Sequence, residues 1–279
     1  NKSEIKYITD KKRELEEFIK LEAMKVEFLS NMSHEFRTPI NIILAIVQLL
    51  NLHNKPLGDE KYKEYLNILK QNSYRLLRLV NNVMDITKVN SDSDKLNLVN
   101  CNIVSVLEEI VMSTVLYASE KKRNIIFDTD SEEIILACDE DKIERIMLNL
   151  ISNAIKFSQL HTDIEIKIKR NVDLNRVYIS VKNYGSNIEF KDREKIFERF
   201  YRVDNSLNRK NEGCGIGLFL CRKFIEMHGG EIFLDNIDNG TQFSFYLPIN
   251  ITEEKINNPI IQKDSLIERC NIEFSDIYT

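Results

Sequence analysis

From Leu29 onward the apolar residues fall at Leu29, Met32, Phe36, Pro39, Ile43, Ile46 and Leu50, in steps that alternate between 3 and 4. That spacing is a heptad seam, and it commits the segment to a helix burying one narrow stripe. A second stripe, Tyr62, Leu66, Leu69, Ser73, Leu76, Val80 and Val83, alternates 4 and 3 in the same way. Between them, residues 51–59 carry Pro56 and Gly58, a natural breaker. Two long helices joined by a short loop predict an antiparallel hairpin. Two helices alone bury little surface, so a homodimer closing a four-helix bundle is the economical arrangement. An ordinary helical subdomain within one monomer is the plainer alternative. Upstream, Leu15, Phe18, Leu21, Met24 and Phe28 step by 3, 3, 3 and 4, out of phase with the seam. Such a phase change resembles a coiled-coil stutter. It either transmits a twist from an upstream sensor or is a frayed helix end.

A second regime follows. Seven of the eight glycines lie between Gly185 and Gly240, and the first 180 residues hold only Gly58. After a polar linker, Asn90 to Asn97, a helix is expected over 102–120, then short strands at 124–127 and 133–137. Asp139 offers an N-cap for a helix through Phe157. On it Ile143, Ile146, Met147, Leu150, Ala154 and Phe157 form an apolar face, while Arg145, Asn149, Asn153 and Lys156 form a polar stripe. Two amides and two cations on one face suit a phosphate–metal group, although a solvated face is the plainer reading. The alternating runs Ile164, Ile166, Ile168 and Val177, Ile179, Val181 predict adjacent half-buried strands. Gly213, Gly215 and Gly217 then open a helix running to His228, a place where backbone N–H groups and the helix dipole can meet phosphate.

Composition bounds the function. The chain has 279 residues, 43% hydrophobic and 30% charged, with a net charge of −5 and both signs interspersed. A nucleic-acid groove is not expected. No run approaches the ~18–20 apolar residues of a membrane span, and no signal peptide opens the chain. Five cysteines without CxxC spacing suggest neither a disulfide framework nor a zinc site, which fits a reducing cytoplasm. The first residue is Asn, so a piece of a longer protein is expected.

His34 is the residue that carries chemistry in the first regime. With Leu29 at position a and Met32 at d, it falls at f, directly away from the seam. Glu35 adjoins it, Thr38 lies one turn on along the same face, and Pro39 is expected to kink the helix there. An outward imidazole beside a carboxylate reads as a nucleophile.

The run FLSNMSHEFRTPI, Phe28 to Ile40, resembles the phosphoacceptor box of sensor histidine kinases. ERIMLNLISNAIKFS resembles the N box of the same family and of the wider ATPase superfamily shared with gyrase and Hsp90. IFERFYRVDNS, Ile196 to Ser206, resembles the F box, with Phe197 and Phe200 packing; residues 207–212 would be the ATP lid. GCGIGL, HGGEI and NGTQFSFYLP complete five boxes between Met24 and Pro248. The resemblance implies a helical hairpin followed by a two-layer α/β sandwich of Bergerat type that binds ATP and Mg²⁺. It implies that Asn153 holds the metal, that Asn149 supports the site, and that Lys156 and Arg202 meet phosphate. Phe157, Asn183, Gly185, Asn187, Gly213, Gly215, Gly217 and Leu218 would line the nucleotide.

Two positions depart from the family's D-x-G-x-G: Asn183 stands for the Asp that accepts from the adenine amino group, and Asn187 for the second Gly. Asn183 still accepts, without charge, and Asn187 tolerates left-handed backbone angles. A retained but weakened pocket is expected.

The resemblance therefore implies domains at 1–25, 26–95, 96–250 and a tail at 251–279. It implies that His34 takes the γ-phosphate of ATP, with Glu35 orienting or deprotonating the ring, and passes it to an aspartate on a response regulator docked near Asn41 and Ala45. Glu35 and Thr38 form the E-x-x-T spacing associated with dephosphorylating that regulator. The alternatives are a degenerate kinase serving as phosphatase or scaffold, and a gyrase- or Hsp90-like ATPase.

Overall fold

The computed structural model describes residues 2–52, 58–90, 95–203, 215–235, 237–253 and 263–278. Helices α1 (Lys2–Leu52) and α2 (Asp59–Asn90) form the hairpin. Along α1 most of the expected seam turns inward: Met32, Pro39 and Ile46 are buried, and Phe36, Ile43 and Leu50 are half-buried, while Leu29, its first member, is exposed in the single chain. Pro39 sits inside the helix without ending it.

Helix α2 differs from expectation. Its predicted stripe is largely exposed in the single chain, with Tyr62, Leu66, Val80 and Val83 all facing solvent. The face it buries is Asn72, Arg75, Leu79, Asn82 and Ile86, also spaced 3 and 4 but mostly polar. Periodicity in hydrophobicity cannot reveal a face whose partners are charged.

The second regime is an α/β unit. Strand β1 (Val99–Asn102), absent from the sequence reading, pairs antiparallel with β3 (Ile135–Cys138). Asn102 caps helix α3 (Ile103–Glu120): its Oδ1 accepts from Val104 N at 3.2 Å and from Ile134 N at 3.1 Å, joining the helix start to β3. Such caps contribute about 1 kcal/mol. Asp139 caps helix α4 (Glu140–Phe157) as expected, accepting from Lys142 N.

Strands β2 (Asn124–Thr129), β4 (Asp163–Asn171), β5 (Arg176–Tyr184), β6 (Glu231–Asp235) and β7 (Gly240–Pro248) make one sheet in the order β2-β4-β5-β7-β6. Only β2 and β4 pair in parallel. Alternation in β4 and β5 sends Ile164, Ile166, Ile168, Val177, Ile179 and Val181 to one buried face. Helices α3, α4 and α5 (Gly217–Met227) cover that face, giving two layers around one core. Each buried Ile or Phe there withdraws enough apolar surface to contribute about 1.5–3 kcal/mol. Helix α6 (Lys263–Glu273) and a 3-10 turn (Phe274–Tyr278) end the described chain, lying against α2, α3 and α4.

Candidate phosphoacceptor and nucleotide sites

On α1, His34 and Thr38 are exposed and Glu35 is half-buried. The Thr38 hydroxyl donates to the His34 carbonyl oxygen at 3.2 Å, which holds it along the helix one turn from the imidazole. The His34 ring makes no hydrogen bond or ion pair among the described residues. His228 shows the contrast. Its Nε2 accepts from Asp139 N at 3.0 Å, its Nδ1 lies 2.6 Å from the Phe224 carbonyl oxygen, and burial pushes its pKa down. His228 is a brace with both ring nitrogens engaged, whereas the His34 ring is exposed and makes no such contact among the described residues.

The predicted nucleotide residues come from α4, the end of β5 and the start of α5. Asn153 Nδ2 donates to Asn149 Oδ1 at 3.2 Å. Gly217 begins α5 directly against Asn149: a Cβ there would lie 2.1 Å from Asn149 Nδ2, so only glycine fits without a shift. Among the described residues no side chain caps α5, whose leading N–H groups can therefore meet an anion. Gly215, at φ +65°, places its carbonyl to accept from Phe200 N at 3.0 Å, and Arg202 lies exposed beside it. Leu218 is half-buried against the core. Gly213 and residues 207–212 lie outside the described residues.

At the end of β5, Asn183 is buried between Ile164 and Thr241, and its Nδ2 has no hydrogen-bond partner. Gly185 packs against the Phe157 carbonyl, joining this strand end to the end of α4. Asn187 does not need the left-handed conformation that its residue type tolerates; instead its Oδ1 accepts from Gly240 N at 2.6 Å.

Two expectations are corrected. Phe157 is exposed at 45% and does not belong to the buried face of α4. The polar stripe is not uniform either. Arg145 is tied to Glu273 at 2.7 Å, Asp85 at 3.4 Å and Asn82 at 2.6 Å, so it works as a half-buried structural cation. Lys156 Nζ lies 3.3 Å from Asp276. Sequence reading missed Glu273, Asp276, Arg75 and Arg78; the signal available was an acidic pair three apart inside NIEFSDIY.

The donor set fits a nucleotide and Mg²⁺. Gly217 lets α5 pack directly on the Asn149 side chain, the Asn183 amide nitrogen is a buried polar group without a partner, and Asn153 Oδ1 accepts no hydrogen bond among the described residues. A neutral amide oxygen suits Mg²⁺, which retains water and phosphate ligands. No group of three or more His, Cys, Asp or Glu able to hold a metal occurs among the described residues. Cys101 and Cys138 are unbonded and buried, with their sulfurs 3.1 Å apart. No helix described is long and apolar enough to cross a membrane.

Residues 24–92 match the His Kinase A (phospho-acceptor) domain, and residues 138–251 match the histidine kinase-, DNA gyrase B- and HSP90-like ATPase family. The sensor protein kinase WalK of Staphylococcus aureus is 30% identical over 235 residues, 84% of this chain. The chain spans 56% of that relative and 38% of a longer WalK, from strain JH9. Full-length ShkA in complex with AMPPNP superposes with a TM-score of 0.60 at 27% identity, covering 81% of this chain and 46% of that one. The histidine kinase ThkA in complex with the response regulator protein TrrA gives 0.59 at 26% identity, over 80% of this chain and 61% of that one.

Proposed function

The chain belongs to the sensor histidine kinases of two-component systems, and from that premise we propose that His34 takes the γ-phosphoryl group of ATP and hands it to an aspartate of a response regulator. The observation that carries this reading is the solvent-exposed, unpartnered His34 imidazole in the same chain as the Asn149–Gly217 cradle.

A ring nitrogen of His34 attacks the γ-phosphorus, an N–P bond forms, the bond from phosphorus to the β,γ-bridging oxygen breaks, and ADP departs. Glu35 orients the ring and accepts its proton. Lys156, Arg202 and the α5 N-terminus bind phosphate charge, Asn183 and Gly185 the base, and Asn153 holds Mg²⁺, which when bound neutralises developing phosphate charge. Residues 1–25 then form the signalling helix, 26–95 the phosphoacceptor hairpin, 96–250 the ATP-binding domain and 251–279 a tail.

The exposed stripe of Tyr62, Leu66, Val80 and Val83 is the surface a second copy would cover in a four-helix bundle. A receiver domain fits the exposed α1 surface at Asn41 and Ala45. Thr38 gives the protein a second, reverse activity, orienting water for hydrolysis of the regulator's aspartyl phosphate. The reading of a degenerate kinase that serves mainly as a scaffold gains no support from the relatives.

The test is incubation of the protein with γ-labelled ATP and Mg²⁺. Label that is acid-labile and base-stable supports a phosphohistidine; free phosphate alone points to a plain ATPase.

A further inference from the structure

The chain that follows the matched ATPase region returns to it. Helix α6 and its 3-10 turn are anchored by apolar contacts: Leu266, Cys270 and Phe274 are buried, and Phe274 stacks on Tyr117 of α3 with ring centroids 4.8 Å apart. Tyr117 also donates its hydroxyl to Asn271 Oδ1 at 3.0 Å. So fixed, the segment sets two carboxylates into the trough between α2 and α4. Glu273 pairs with Arg78 at 3.0 Å and Arg145 at 2.7 Å. Asp276 pairs with Arg78, with Arg75 at 3.8 Å and with Lys156 at 3.3 Å. One acidic turn thus spans cations from the phosphoacceptor hairpin and from the nucleotide-binding helix.

We propose that residues 263–278 are a built-in autoinhibitory strap: Asp276 occupies the Lys156 ammonium in place of a nucleotide phosphate and ties the ATP-binding domain to α2. The inference rests on the assignment of Lys156 to phosphate. A carboxylate and a phosphate oxygen are alternative anions for one ammonium, so docking of the strap and full engagement of ATP oppose each other. The same contacts limit the travel of the ATP-binding domain along the hairpin toward His34. Because Arg75 and Arg78 also hold Asp276, releasing Lys156 alone does not free the strap, and ATP must compete with the whole cluster. A strap docked nine-tenths of the time would weaken apparent nucleotide affinity about tenfold.

The experiment compares the full chain with its Asp276→Asn variant, which keeps side-chain shape and removes the charge. Mg-ATP affinity is measured by calorimetry, and amide hydrogen exchange is followed in residues 263–278 with and without saturating Mg-ATP. The expected results are roughly threefold to tenfold tighter binding in the variant and faster exchange in the wild-type strap once ATP is bound. Unchanged exchange in α3 checks that the variant is folded; Asp276→Glu, which restores the charge, should return affinity toward wild type. Equal affinities with a strap that stays protected under ATP overturn this proposal and leave the kinase reading intact. Absence of Mg-ATP binding in both proteins overturns both.

Discussion

Phe28 on α1 stacks on Phe200 of the ATP-binding domain, with ring centroids 4.0 Å apart and planes 22° from parallel. Phe200 has φ +69°, a conformation that costs an L-residue about 1–2 kcal/mol. The stack and the hydrogen bond from Phe200 N to Gly215 O hold it there. His34 lies six positions after Phe28, so the contact joins the helix that carries His34 to the segment that precedes Gly215 and Gly217.

A double-mutant cycle on Phe28→Ala and Phe200→Ala should therefore show a coupling of about 0.5–1.5 kcal/mol, the worth of an aromatic pair beyond its buried area. Denaturant unfolding of the four proteins supplies the numbers. Additive effects would mean that the two rings do not meet in solution.

The Asn183 amide nitrogen is buried without a hydrogen-bond partner, and in the proposed function its amide oxygen is the neutral acceptor for the base amino group. Asn183→Asp replaces a neutral acceptor with a charged one and should tighten Mg-ATP binding about fivefold, roughly 1 kcal/mol. Calorimetry decides, and weaker binding by the Asp variant would show that burying the charge costs more than it returns.

The hairpin, the α4 helix with its cap, the β4–β5 pair and the glycine cradle were legible because each is a local pattern. Heptads, an N-cap, period-two alternation and a glycine before a helix all fall within one element. The buried face of α2 was not legible, since Asn72, Arg75 and Asn82 look like solvent residues until their partners are known. Arg75 meets Ser275, 200 residues on, and Arg78 meets Glu273 and Asp276 from the same distant turn. Nothing periodic links them. Phe157 was misplaced for a different reason: a helix's last residue can follow the apolar phase and still emerge into solvent.

Two carboxylates near the strap titrate in opposite senses. Burial pushes Glu144 up to about 7, against the pull of Arg269, whose Nε stands 2.6 Å away. A carboxyl raised in the folded state contributes stability below its unfolded value, about 4.3, and loses it as pH rises through the folded value. Burial would also raise Glu273, but Arg78, Arg145 and Lys156 outweigh it and hold that carboxyl below its ordinary range. Its contribution is present above the unfolded value and disappears as pH falls through the lower folded one. Thermal melts from roughly pH 5 to 8 should show wild type losing ground to Glu144→Gln as pH rises. Parallel curves would contradict the raised Glu144.

Thr38 hydrogen-bonds to the His34 carbonyl and remains exposed. Thr38→Ala should leave labelling of His34 nearly intact while lengthening the life of phosphate on the regulator, assayed with excess kinase and ADP. If neither protein shortens that life below the regulator's spontaneous value, Thr38 only braces the helix.

His34 is exposed and supports no core, so removing its imidazole should remove the phosphoacceptor alone. His34→Gln should fold, bind Mg-ATP with wild-type affinity and take up no label from γ-labelled ATP. Labelling of His34→Gln at the wild-type rate would contradict the account.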